Sequence, residues 1–186
     1  MSNVQTKPQY KYPLSMRSVH WARALVVIAA LTIGLVMVNL PEESIFQFDY
    51  LYPTHKQLGV FAFILAIVQL MLHRMNVTPS LPPGLPKWER VLSKAVHRLL
   101  YALLILVPVL GYSMSSSFTQ SDGVPFLFFH LPELLPKNDD LFRVFQAAHR
   151  YLSYAFAAAI ALHVVGTLKH RYLDADKAND VLPRMV

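Results

Sequence analysis

Four runs of this chain are apolar and almost free of charge, and polar segments separate them. They cover about residues 18–40, 53–73, 92–115 and 145–168. At 1.5 Å per residue each run is long enough to cross a hydrocarbon layer of about 30 Å. The pattern predicts an all-α fold, a four-helix transmembrane bundle over residues 18–170. A polar N-terminal tail, 1–17, and a polar C-terminal tail, 171–186, flank it. The first run is too long for a signal-peptide core and lacks a convincing small-residue cleavage site, so it reads as a retained span.

The connections differ in character. Pro41, Glu42, Glu43 and Asp49 make a short acidic loop between the first two spans. Residues 74–87 contain VTPSLPPGLPK and cannot be a helix interior. Pro108, inside the third span, predicts a kink. Residues 116–142 form a longer connection, whose middle, VPFLFFHLPELLP, is apolar but interrupted by prolines and too short to span. It is expected to lie in the membrane interface.

Composition agrees with a membrane protein: 54% of the 186 residues are hydrophobic and only 15% are charged. The net charge of +6 does not point to nucleic acid, because the basic residues sit at the ends of apolar runs and not in a stripe or tail. Only Lys56, Lys137, Arg143 and Arg150 of the seventeen lysines and arginines fall on the side of the 41–52 and 116–142 connections. The positive-inside rule therefore places both termini in the cytoplasm of a bacterial inner membrane. There are no cysteines, which excludes disulfides, iron–sulfur clusters and c-type haem attachment. Histidine, with eight residues, is the transition-metal ligand available in number.

Two histidines, His149 and His163, lie fourteen residues apart in AAHRYLSYAFAAAIALHVVGTLKH. Fourteen residues are almost four helical turns, so both imidazoles leave nearly the same face, separated by roughly 21 Å along the axis. Ionisable groups inside a membrane span mark function. With alternating span directions, His20 lies at the depth of His163, near the cytoplasm, and His55 at the depth of His149, near the outside. The pairs His20/His163 and His55/His149 are candidate axial ligands of two haems, with paired histidines suited to electron transfer. His97 lies at about the depth of His20 and competes with it; it could equally contact a haem propionate or a quinone. His73 and His170 read as surface groups at inner ends, and His130 as a solvated loop residue. Lys56 and Arg150 directly follow the outer histidines and are candidates to neutralise propionates or attract an anion. Gly34, Gly59, Gly111 and Gly166 would let a flat group approach the backbone, as well as helices pack.

The chain resembles the bacterial cytochrome b561 family, whose best-characterised kind is a superoxide oxidase of the inner membrane. The resemblance covers about residues 15–186 and rests on SVHW, HKQLG, HRLLYALLILVPVLGY, GYSMSSS followed by VPF, the fourth span, and a tail ending DVLPRMV. It implies two b-type haems with His20, His55, His149 and His163 as ligands to iron, and His97 as a non-ligand. It departs from the family's second-span pattern LLxxRLxxR, where this chain has Gln69 and His73, with Arg74 displaced by one. The implied function is transfer of electrons between superoxide and ubiquinone. The alternative is a carrier between the quinone pool and a periplasmic redox partner. A third class, a transporter or structural membrane protein, predicts carboxylates near the bilayer middle, and no span contains one.

Overall fold

The structure is a computed structural model, described for residues 11–41 and 44–186. Glu42 and Glu43 of the expected acidic loop, and the first ten residues of the N-terminal tail, lie outside the described residues. Helix α1 spans Leu14–Met37, α2 Tyr52–Met75, α3 Lys87–Ser117 and α4 Asp139–Tyr172. All four are long and apolar enough to cross a membrane. Large apolar side chains such as Leu25, Ile28, Ile64, Leu106 and Val165 are exposed on their outer faces, as a surface solvated by lipid requires.

Helix ends follow local chemistry. Asn138 caps α4, its side-chain oxygen accepting from the N–H groups of Asp140 (2.9 Å) and Leu141 (3.1 Å). Asp139 and Asp140 then occupy the first turn and Lys169, His170 and Arg171 the last, each sign placed as the helix dipole favours. Helix α3 continues through Pro108. α3 and α4 both extend beyond the apolar runs, because their polar first turns project past the hydrocarbon.

Two segments differ from the sequence expectation. The acidic connection is partly helical: a π-helical turn, Gln47–Leu51, leads into α2. Its buried Gln47 donates to the free carbonyl of Met37 at 2.8 Å, which satisfies the end of α1. The interfacial segment contains a β-hairpin, β1 (Val124–Phe126) against β2 (Phe129–Leu131), paired Val124 to Leu131 and Phe126 to Phe129. The serines of GYSMSSS anchor the stretch between this hairpin and α4: Ser116 Oγ accepts from Leu135 N at 3.0 Å, and Asn138 N donates to Ser117 O at 2.8 Å.

The helices pack as two hairpins, α1 with α2 and α3 with α4, joined where α2 meets α3, while α4 barely approaches the backbones of α1 and α2. The core between them is built from Val27, Ala62, Ala66, Leu103, Leu104, Val107, Phe156 and Ala159. The two ends of the bundle are distinct. One carries the β-hairpin; the other carries the C-terminal tail, folded back so that Trp21 Nε1 donates to Met185 O at 2.8 Å and Tyr12 N to Arg184 O at 3.0 Å.

Candidate functional site

Across the seam between the two helical hairpins, histidines face each other at both ends. At the β-hairpin end His55, from the first turn of α2, lies 6.0 Å from His149 of α4, centroid to centroid, with the rings perpendicular. At the tail end His20 of α1 lies 6.4 Å from His163 of α4. Two imidazoles sharing one metal, each bonded at about 2 Å through a ring nitrogen, have centroids about 6 Å apart. Both pairs fit that separation. Each pair also joins helices from different hairpins, where the backbones stay apart.

The β-hairpin end is built for ligation. His55 Nδ1 donates to Ala30 O, and His149 Nδ1 donates to Val107 O, both at 2.9 Å. A carbonyl can only accept, so the proton sits on Nδ1 and Nε2 presents a lone pair. A Cβ on Gly34 would come within 3.1 Å of the His55 ring and one on Gly111 within 3.0 Å of the His149 ring, whereas Gly59 faces open space. That space belongs to a largely apolar cavity of about 400 Å³, walled by His55, Gly59, Phe63, Gly111 and His149. Its size and lining suit a cofactor. Behind each α4 histidine a hydroxyl four residues on donates to its carbonyl, Ser153 to His149 at 2.7 Å and Thr167 to His163 at 3.0 Å.

The sequence profile described as prokaryotic cytochrome b561 matches residues 11–186. The chain belongs to that family. Cytochrome b561 homolog 2 of Escherichia coli K12 is 26% identical over 188 residues, covering 97% of this chain and 94% of that protein. Cytochrome b561 homolog 1 of the same strain is 24% identical over 123 residues, covering 66% of this chain and 69% of its own length. Membership makes this chain a membrane cytochrome of b type that serves electron transfer. The paired imidazoles, the glycine-cleared rings and the apolar cavity fit the haem that a b561 cytochrome carries.

Of the remaining histidines of this b561 chain, His97 stands beside the tail-end pair. The His97 ring is 5.1 Å from His163, closer than two rings on opposite sides of one iron. Its Nδ1 donates to Ser93 O at 2.7 Å. His130 is exposed on β2, and His73 is exposed with its ring 6.4 Å from Tyr101. His170 is not the surface group expected from its place beside Arg171. Its side chain is only 15% exposed, and its Nδ1 donates to Asp174 at 2.8 Å. Lys169 bridges Glu89 (2.5 Å) and Asp174 (2.9 Å), so α3, α4 and the tail are clasped by one network. His170 and Lys169 together hold the Asp174 carboxyl down at about 2. Glu89, His170 and Asp174 have the composition of a metal site, but the Lys169 ammonium already sits between the two carboxylates.

Of the outer cations, Lys56 is tied to Asp122 at 3.2 Å and donates to Gly123 O at 2.8 Å. Burial opposes ionisation of Asp122, yet the Lys56 ammonium holds its carboxyl below the usual range. Arg143 pairs with Asp140. Arg150 lines the cavity and, among the described residues, makes no ion pair or hydrogen bond.

One residue escaped the sequence reading. Arg23 lies in the first apolar run, three residues after His20, and its Nη1 is buried without a partner. The signal was available, since it is a charge inside a span. Gln69, at the departed family position, is buried as well, with its side-chain oxygen bare.

Proposed function

We propose that the chain binds two b-type haems, one between His55 and His149 and one between His20 and His163, and carries electrons across the bacterial inner membrane. The observation that carries this reading is the pair of imidazole separations, 6.0 and 6.4 Å, set roughly 21 Å apart along α4 by the helical rise. Haem bound at each position supplies one-electron redox chemistry. The histidines supply lone pairs from a fixed tautomer at the β-hairpin end, the glycines make room for the rings, and the apolar wall excludes water. With the termini in the cytoplasm, as the distribution of Lys and Arg supports, the β-hairpin end faces outward.

On this reading the protein oxidises superoxide at the outer end and reduces ubiquinone at the inner end. Two superoxide anions give up two electrons and leave as dioxygen; the quinone takes those electrons and two protons to become quinol. Arg150, with no side-chain partner among the described residues and beside His149 at the cavity, supports entry of an anion. The second reading is a carrier serving a redox partner outside the membrane. It is favoured by the pairing of Lys56 with Asp122 and Arg143 with Asp140, which removes two of the three cations that would steer superoxide. It is also favoured by the bare apolar tip of the β-hairpin, where Phe128 is 93% exposed.

Stopped-flow mixing of purified protein with superoxide separates the two. Reduction of the haems that is fast, slows with salt and slows further in Arg150→Gln supports the oxidase. Haems indifferent to superoxide but reoxidised by quinone point to the carrier. Protein that purifies with about one haem per chain overturns the two-haem reading itself.

A further inference from the structure

Among the described residues, no opposite charge pairs with Arg23. Helix α1 contains no acidic residue, and among the described residues Arg23 makes no ion pair. It lies nine residues into the helix, about 13 Å along the axis from its start, and five residues into the apolar run that begins at residue 18. Its guanidinium carbon sits 5.6 Å from the centre of the Tyr101 ring, and its Nη2 is 3.4 Å from Nδ1 of His20. The Tyr101 ring and hydroxyl both ease the charge, but Nη1 stays buried without an acceptor among the described residues. A buried guanidinium with an unused N–H is costly unless an acceptor, best a charged one, completes it.

The contact with His20 sharpens the point. An arginine stays protonated, so this contact requires Nδ1 of His20 to accept, which puts the imidazole proton on Nε2. That is the reverse of His55 and His149. A metal taking Nε2 of His20 sends the proton to Nδ1, and the contact then sets one N–H against another. Arg23 must turn away from His20 and find an oxyanion at the same depth.

We propose that Arg23 is a positioning residue for the haem at the His20/His163 pair, releasing Nδ1 of His20 as that haem binds and gripping one of its propionate carboxylates. This rests on the two-haem reading. The guanidinium offers two parallel N–H groups, the geometry that matches a carboxylate. A lipid phosphate has the same oxyanion chemistry, and the lipid-stripping arm of the test separates the two sources. The positive charge favours the less positive, reduced iron.

The test is a spectroscopic redox titration of the purified holoprotein, with haem per chain counted, in wild type, Arg23→Gln and Arg23→Lys. Reduced-minus-oxidised infrared spectra accompany it, using haem carrying labelled propionates. Arg23→Gln is expected to lower the midpoint potential of one haem, leave the other in place and shift the labelled carboxylate band. Arg23→Lys, which keeps the charge without the fork, should recover part of the potential and less of the band. If both potentials and the band match wild type in Arg23→Gln, the proposal is overturned. It is equally overturned if the Arg23 effect vanishes on stripping anionic lipid into neutral detergent, which would identify a phosphate as the partner. Should Arg23→Gln fail to fold, the Lys variant decides: an unshifted band there overturns the proposal. A wild type holding a single haem that His20→Ala does not disturb would instead overturn the two-haem reading, leaving the two failures distinct.

Discussion

At the β-hairpin end both imidazoles lean on main-chain carbonyls of the neighbouring helix in their own hairpin, with both Nδ1 contacts at 2.9 Å. At the tail end His20 meets a guanidinium instead, and the His163 ring has no hydrogen-bond partner among the described residues. The first arrangement is complete before anything binds, because carbonyls cannot turn away and glycines already clear the rings. The second is unfinished, with a tautomer that binding must reverse and a cation left half-satisfied. Two histidine pairs in one bundle therefore differ in preorganisation: on the two-haem reading, the β-hairpin end should take its haem tightly and in one geometry, and the tail end should depend on what its side chains do.

The largest effect that could break this comparison is loss of a ligand. His149→Ala should cut haem content from about two per chain to about one and leave the spectrum of the tail-end site, while His163→Ala should do the converse. Both haems retained and low-spin in either variant would refute the pairing. A smaller effect isolates preorganisation. Gly111→Ala puts a Cβ 3.0 Å from the His149 ring, and a displaced ligand of this kind weakens retention by about 10- to 100-fold. Competition with apomyoglobin should show that loss at one site only. The smallest effect concerns the clasp at the tail end. The Asp174 carboxyl titrates at about 2 in the folded chain against an ordinary value of 3.8. Because it is depressed, its contribution to stability is fully present above about pH 4 and is lost as the pH falls towards 2. Thermal unfolding in detergent should show Asp174→Asn to be less stable than wild type near neutrality, with the difference shrinking through that acid window.

How much of this could be read from the chain depends on the range of the forces involved. The four helices were legible because lipid demands about twenty apolar residues per crossing, and that is a local property. The facing of His20 with His163 and His55 with His149 was legible too, since a rise of 1.5 Å per residue and alternating span direction fix relative depth. The β-hairpin was not: its turn, Leu127–Phe128, has no glycine or asparagine, and Leu127 adopts φ +54°, a conformation that sequence alone argues against. Surrounding contacts impose it, with Phe126 packed 4.9 Å from Phe61 on α2. His170 looked like a surface group because Glu89 becomes its neighbour only when α3 meets α4, although Asp174 was in reach at i+4. Arg23 was passed over for the opposite reason. Its isolation is a fact about what surrounds it, and the charge inside a span showed only that something there must answer it.

The seam along which α4 stays clear of α1 and α2 has a meaning for biogenesis. The two helical hairpins meet along α2 and α3, with the proline-rich stretch between them as the spine of a book whose covers are α1 and α4. Each half, α1 with α2 and α3 with α4, can enter the bilayer as a pair of spans, and the book can close afterwards. The histidines lie on the inner pages, one partner on each, so what the cytochrome carries also binds its halves together. On the two-haem reading, cofactor loading would complete the closing of a bundle that its apolar core already draws together.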